Sequence, residues 1–124
     1  MVLCFPCMCE KSSPTSTAVL VWEKTSNGDG SPRFKLNIDK SSYTCLKGKT
    51  YVEESLVYAF VFGCGGVGRV WKTQQMEIID IKSCDLGVFY RRDLALRCNF
   101  QSSVITYINS NMITEVVTEQ TIHV

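Results

Sequence analysis

The 124-residue chain contains one histidine, three prolines and no Asn-x-Ser/Thr sequon. A single His leaves little room for His-based metal or triad chemistry. Apolar runs are short: residues 56–62 are among the longest, far below the roughly 20 residues that span a bilayer. An excess of one charge is missing too, since 13 Lys+Arg against 12 Asp+Glu leave +1. That balance argues against a dedicated nucleic-acid binder, whose footprint is a basic surplus on one face. The start of the chain lacks a basic segment followed by a long apolar stretch, so no signal peptide is visible. Internal repeats and long linkers are absent. Disorder is excluded by abundant β-branched and aromatic residues at low net charge.

Cysteine is what the chain has in quantity. Seven are present, at positions 4, 7, 9, 45, 64, 84 and 98. Cys4 and Cys7 form one Cys-x-x-Cys pair, but no second pair follows to complete a zinc site. The wide spacing after Cys9 favours long-range disulfides and an oxidising compartment. The odd count leaves at least one thiol unpaired or intermolecular. S-acylation of Cys4, Cys7 and Cys9 in a cytosolic protein is the competing reading of the N-terminal cluster. No base accompanies any of the cysteines, so no catalytic residue is assigned.

Residues 1–17 read as an irregular cysteine-containing arm, and residues 18–124 as one β-domain. Short β-prone segments follow one another at about 8–12-residue spacing. They include 18–25, the alternating 34–38, the apolar 56–62, 76–81, 94–100, 104–108 and the Thr/Val-rich tail 113–124. The Asn27-Gly28-Asp29-Gly30 stretch is a strong turn signal, without the acidic spacing of a calcium loop. Helical periodicity is confined to a turn or two within 51–56 or 67–75. The expected class is therefore all-β, a sandwich.

Gly63-Cys64-Gly65-Gly66-Val67-Gly68 matches the G-x-G-x-x-G pattern that cradles a pyrophosphate at a helix N-terminus. Only 69–75 is available for the helix that this reading needs, and no second βαβ unit follows. A structural glycine turn that binds no phosphate is the preferred reading, and a small nucleotide-binding protein the remaining alternative. Arg91-Arg92-Asp93 is read either as a solvated strand-edge cluster or as a basic recognition patch. Trp22 and Trp71 are expected as core anchors, and His123 as incidental.

The segments around Cys64 and Cys98 carry a resemblance. An apolar strand runs into Phe62-Gly63-Cys64-Gly65, and 34 residues after Cys64 the run Arg91-Arg92-Asp93-Leu94-Ala95-Leu96-Arg97 leads into Cys98-Asn99-Phe100. This resembles the N-terminal half (ZP-N) of the zona pellucida domain, as an isolated module spanning residues 9–124. Cys84 and the Cys4/Cys7 pair have no counterpart in ZP-N, and Cys84 is expected to pair with Cys4 or Cys7 or to stay free. The resemblance implies an immunoglobulin-like β-sandwich stapled by Cys9–Cys98 and Cys45–Cys64. It also implies a secreted, non-enzymatic recognition or assembly module of the egg-coat or gamete-recognition (fertilization) type, without cofactor or metal.

A second expectation is another cysteine-rich sandwich, such as a secreted effector or viral accessory protein. For either, the partner surface is expected on a sheet edge. Residues 104–108 and 113–124 are β-prone, with Glu115 and Glu119 as their only charges. Ile113, Val116 and Val117, with Arg91 and Arg92, are the candidate partner-binding residues, for a protein partner or for self-association.

Overall fold

Two long segments rich in β-branched residues, β1 (Thr17–Ser26) and β7 (Met112–Thr118), build the centre of the molecule. The structure is a computed structural model that describes residues 16–26 and 30–120. Between these strands lie β2 (Pro32–Leu36), β3 (Ser42–Tyr43), α1 (Leu46–Glu54), β4 (Ala59–Phe60), α2 (Gly65–Thr73), β5 (Glu77–Asp80), α3 (Arg92–Arg97) and β6 (Ser102–Asn109). The strands form one seven-stranded sheet in the order β4-β2-β1-β7-β6-β5, with β3 also paired to β1. Every pairing is antiparallel.

The register sets the two faces. Ala18–Val117–Ser103–Ile79, Leu20–Glu115–Ile105 and Trp22–Ile113–Tyr107 are rows of directly opposed residues on the inner face. Most of these side chains are buried, and they pack with Tyr51 and Val52 of α1, Val67 and Val70 of α2 and Leu94 and Ala95 of α3. On the opposite face the register aligns Val19, Val116, Val104 and Ile78 in one row across β1, β7, β6 and β5. That aliphatic row is half-buried.

The chain is thus β-rich, but it is not a sandwich. Helices occupy the place where a second sheet would lie. Two sequence expectations fail for physical reasons. Leu94-Ala95-Leu96-Arg97-Cys98 alternates, yet Leu94, Ala95 and Cys98 also fall on one helical face. The chain takes the helical solution in α3 and buries those three. Residues 56–62 read as the most buried strand, but only Phe60 turns fully inward, while Leu56, Val57, Val61 and Phe62 are exposed. Only Ala59 and Phe60 pair with β2.

Disulfides are the third correction. Cys45, Cys64, Cys84 and Cys98 are free thiols, so the expected Cys45–Cys64 staple is absent. Cys98 is not bridged, and its expected partner Cys9, like Cys4 and Cys7, lies outside the described residues. Cys45 instead starts a helix, since its Sγ accepts from the Gly48 amide at 3.3 Å and caps α1.

Candidate functional site

Glu115 sits in the middle of β7 on the inner face, fully buried. A carboxylate there must be paired and hydrogen-bonded. Arg91 supplies the charge, with Nη1 at 2.8 Å from Oε1. Trp22 Nε1 donates to the same oxygen at 3.1 Å. Tyr51 and Ser103 donate their hydroxyls to Oε2, each at 3.0 Å. The Arg91 guanidinium is itself enclosed by the rings of Trp22, Phe89, Tyr51, Phe60 and Tyr58, at 4.9–5.9 Å from their centroids. Burial works against the Arg91 charge, but Glu115, together with Tyr51 and Tyr58, outweighs it and holds the group above its ordinary value. Burial pushes the Tyr51 hydroxyl well above the usual tyrosine range. This cluster is sealed from solvent and balanced in charge. It fastens the chain rather than meeting a substrate.

What it fastens is the segment between β5 and α3. Asp85 accepts from the amides of Val88 and Phe89 at 3.0 and 3.1 Å, forming a tight turn. Phe89 is buried and Arg91 follows it into the ion pair. Val88, left exposed by this arrangement, becomes part of the wall of a groove.

That groove, about 390 Å³ in volume, runs along β5 and is lined by Glu77, Ile78, Ile79, Asp80, Ser83, Cys84 and Val88. Among the described residues β5 is an edge strand. The amide of Ile81 bonds to the carbonyl of Gln101, two residues along the same register from the Ile79–Ser103 pair. Hydrogen-bonded pairs in an antiparallel ladder alternate. Glu77 and Ile79 therefore bond to β6, and Ile78 presents its amide and carbonyl away from it, toward the groove, as Asp80 does its amide, while the Asp80 carbonyl caps the 3-10 turn Ile81–Ser83. The Asp80 carboxylate accepts from Ser83 Oγ at 3.1 Å and has no ion pair among the described residues. Glu77 is held by Arg69 of α2 at 2.8 Å. Cys84 also faces the groove, but burial raises its thiol and Sγ donates to the Ile81 carbonyl at 3.3 Å. A thiol kept protonated is a poor nucleophile. Along the groove, β5 leaves backbone groups without a partner strand among the described residues.

The residues singled out from sequence fall elsewhere. β7 lies between β1 and β6, so the free edge expected within 104–124 does not exist in the described part of that segment. Ile113 and Val117 are fully buried, and Val116 lies on the outer face in the aliphatic row. Arg91 is a core residue, not a surface cation. Arg92 is partly exposed and contacts Asp93 at 3.1 Å. Trp22 is a core anchor, whereas Trp71 is half-buried between Phe34 and Phe62. His123 lies outside the described residues.

The glycine run does open a helix, α2, whose first turn contains Gly65, Gly66 and Gly68, and these glycines are explained by packing. A Cβ at Gly66 would stand 2.6 Å from Ile105 Cδ1, and one at Gly68 would collide with the Val61 carbonyl. Gly65 has φ +70° with the Phe60 ring 2.9 Å from a would-be Cβ. These contacts bring α2 down onto β4 and β6.

The β5 groove was missed in sequence because its defining property, an unpaired side, comes from strand order. Among the described residues no group of His, Cys, Asp and Glu could hold a metal ion, and no helix is long and apolar enough to cross a membrane.

No protein-family model matches the chain, and no curated protein matches it in sequence. Solved structures do match in fold. One is a hypothetical protein, SA1058, from S. aureus, with a TM-score of 0.55 and 13% identity, covering 86% of this chain and 82% of that one. The likeness extends to the fold alone.

Proposed function

We propose that this chain is a non-enzymatic recognition module that captures an extended polypeptide by adding it as a strand to the β5 edge. The observation that carries this reading is the outward-facing backbone of Ile78 and Asp80 along a 390 Å³ groove. Ile78 with both backbone groups and Asp80 with its amide offer up to about three main-chain hydrogen bonds, the usual basis of strand addition. The opposite wall, Ser83 to Val88, is held by buried Phe89 and the Arg91–Glu115 pair, so little ordering is left to binding. The other edges among the described residues, β3 and β4, each pair over only two residues. The role in assembly through a sheet edge that the ZP-N resemblance implies is kept, with the edge moved from 104–124 to β5.

The test exploits the backbone of Asp80, whose φ of −81° suits proline. Asp80→Pro removes an amide that does not serve the β6 ladder, whereas Asp80→Ala keeps it. Binding of an alternating Thr/Val octapeptide, followed through the amide chemical shifts of residues 77–84, is expected for the native chain and Asp80→Ala. It is expected to be lost in Asp80→Pro at unchanged melting temperature. Shifts centred away from β5, or binding that survives in Asp80→Pro, would overturn the reading.

A further inference from the structure

Resting on that reading, we infer that the β5 edge selects a peptide carrying a basic residue two positions from a β-branched aliphatic one. Side chains of an added strand continue the rows of the sheet it joins. Ile78 and Asp80 are the two outer-face residues of β5, and each ends a row. The row ending in Ile78 is aliphatic throughout: Val19, Val116, Val104, Ile78. The row ending in Asp80 is polar: Thr17, Thr118, Ser102, Asp80. An incoming strand thus meets an apolar surface at one position and an exposed carboxylate two positions away. Asp80 has no ion pair among the described residues, so a Lys or Arg placed opposite it gains a partner without displacing one. Val or Ile opposite Ile78 extends the aliphatic row by one strand.

The spacing does not depend on strand direction. In a parallel or antiparallel addition, residues on one face of the peptide recur every second position, as they do in β5. The other edge position, Glu77, does not compete for the cation, since Arg69 already holds its carboxylate with Nη2 at 2.8 Å and Nε at 3.1 Å.

The experiment uses the full chain and three fluorescein-labelled octapeptides read by anisotropy at low salt. The first has Lys and Val separated by one Thr within a Thr/Ser/Gly background, the second replaces its Lys by Glu, and the third replaces its Val by Asn. The Lys/Val peptide is expected to bind about three- to fivefold more tightly than either counterpart, as for an exposed cross-strand pair. Asp80→Lys is expected to reverse the Lys-over-Glu preference. Asp80→Asn, which retains an acceptor for Ser83, is expected to abolish it. Equal binding of all three peptides, or a preference unchanged in Asp80→Lys and Asp80→Asn, overturns the sequence preference and leaves strand addition standing. Binding of none of them overturns both.

Discussion

The Arg91 guanidinium lies 2.8 Å from the Glu115 carboxylate, and the two side chains are 2% and 0% exposed. One comes from the segment before α3 and the other from the middle of the sheet. Removing either charge leaves its partner buried and uncompensated, at a cost of about 3–5 kcal/mol. Glu115→Gln preserves shape and an acceptor oxygen, so its expected loss is at the lower end, about 3 kcal/mol. Arg91→Met in the same chain is expected to recover part of that loss, because the orphaned cation is gone. Urea denaturation of the two single variants and the double variant measures the coupling. Additive losses would show that the pair does not act as a unit.

Tyr51 links the same cluster to pH. Its hydroxyl donates to Glu115 and is held protonated by burial, so its folded value lies above the unfolded value near 10. A group raised in the folded state adds stability below its unfolded value and loses it as pH rises toward the folded one. Stability is therefore expected to fall above about pH 10, with the unfolded chain releasing a proton that the native chain retains. Absorbance titration should show the Tyr51 phenolate appearing only together with unfolding. Tyr51→Phe should flatten this alkaline loss while costing about 1–3 kcal/mol at neutral pH, because Glu115 loses a donor.

The glycine contacts in α2 make a graded prediction. Alanine inside a helix ordinarily gains about 1 kcal/mol over glycine. At Gly66 the obstacle is the end of the Ile105 side chain, which can give way, so Gly66→Ala is expected within about 1 kcal/mol of neutral, and Ile105→Val should improve it. At Gly68 the obstacle is the Val61 backbone carbonyl, and Gly68→Ala is expected to cost about 2 kcal/mol or more. Thermal melts order the two variants. The reverse order would show that the loop before α2 does not lie against the helix.

The sequence made the central strands legible, because β1 and β7 are rich in β-branched residues, and their inward side chains at 18, 20 and 22 and at 113, 115 and 117 are buried. The turn at Ser110-Asn111, fixed by Asn109 Oδ1 accepting from the Asn111 amide at 2.8 Å, pins the β6–β7 register. Helix α3 was not legible, because Leu94, Ala95 and Cys98 satisfy both periodicities over so short a run. Of α1 only the last turn, within 51–56, was legible, because its start rests on a thiol cap at Cys45. Cysteine count pointed to staples, but this fold fastens its pieces by a buried ion pair between positions 91 and 115. Residue types alone do not distinguish an exposed Arg91 or Glu115 from a buried pair. Strand order, which makes β5 an edge and β7 an interior strand, is a property of long-range pairing and leaves no local mark.

Thiol chemistry separates the observed arrangement from a stapled one. Cys64 is exposed, Cys45 and Cys84 partly so, and Cys98 is buried with burial raising its thiol. Among these four cysteines, alkylation of the native chain without reductant is expected to label Cys64 first and Cys98 only on unfolding. Quantitative mass mapping by position reads this directly. A Cys45–Cys64 peptide from a non-reduced digest would contradict the free thiols of this fold.

Lysine scanning of the sheet decides between the two edges. Ile113 and Val117 point into the core from an interior strand, each with no exposure. A lysine at either must bury its charge without a partner, so Ile113→Lys with Val117→Lys is expected to unfold the chain. If residues 113–117 were instead a free edge, the same pair would leave the fold intact and change only association. Ile78 lies on the outer face at the true edge and is half-buried, so Ile78→Lys is expected to cost under about 1 kcal/mol. Circular dichroism melts read folding, and size-exclusion chromatography of the same samples reads association. A folded double-lysine variant with a melting temperature near that of the native chain would overturn the strand order β1-β7-β6-β5, and with it the assignment of β5 as the binding edge.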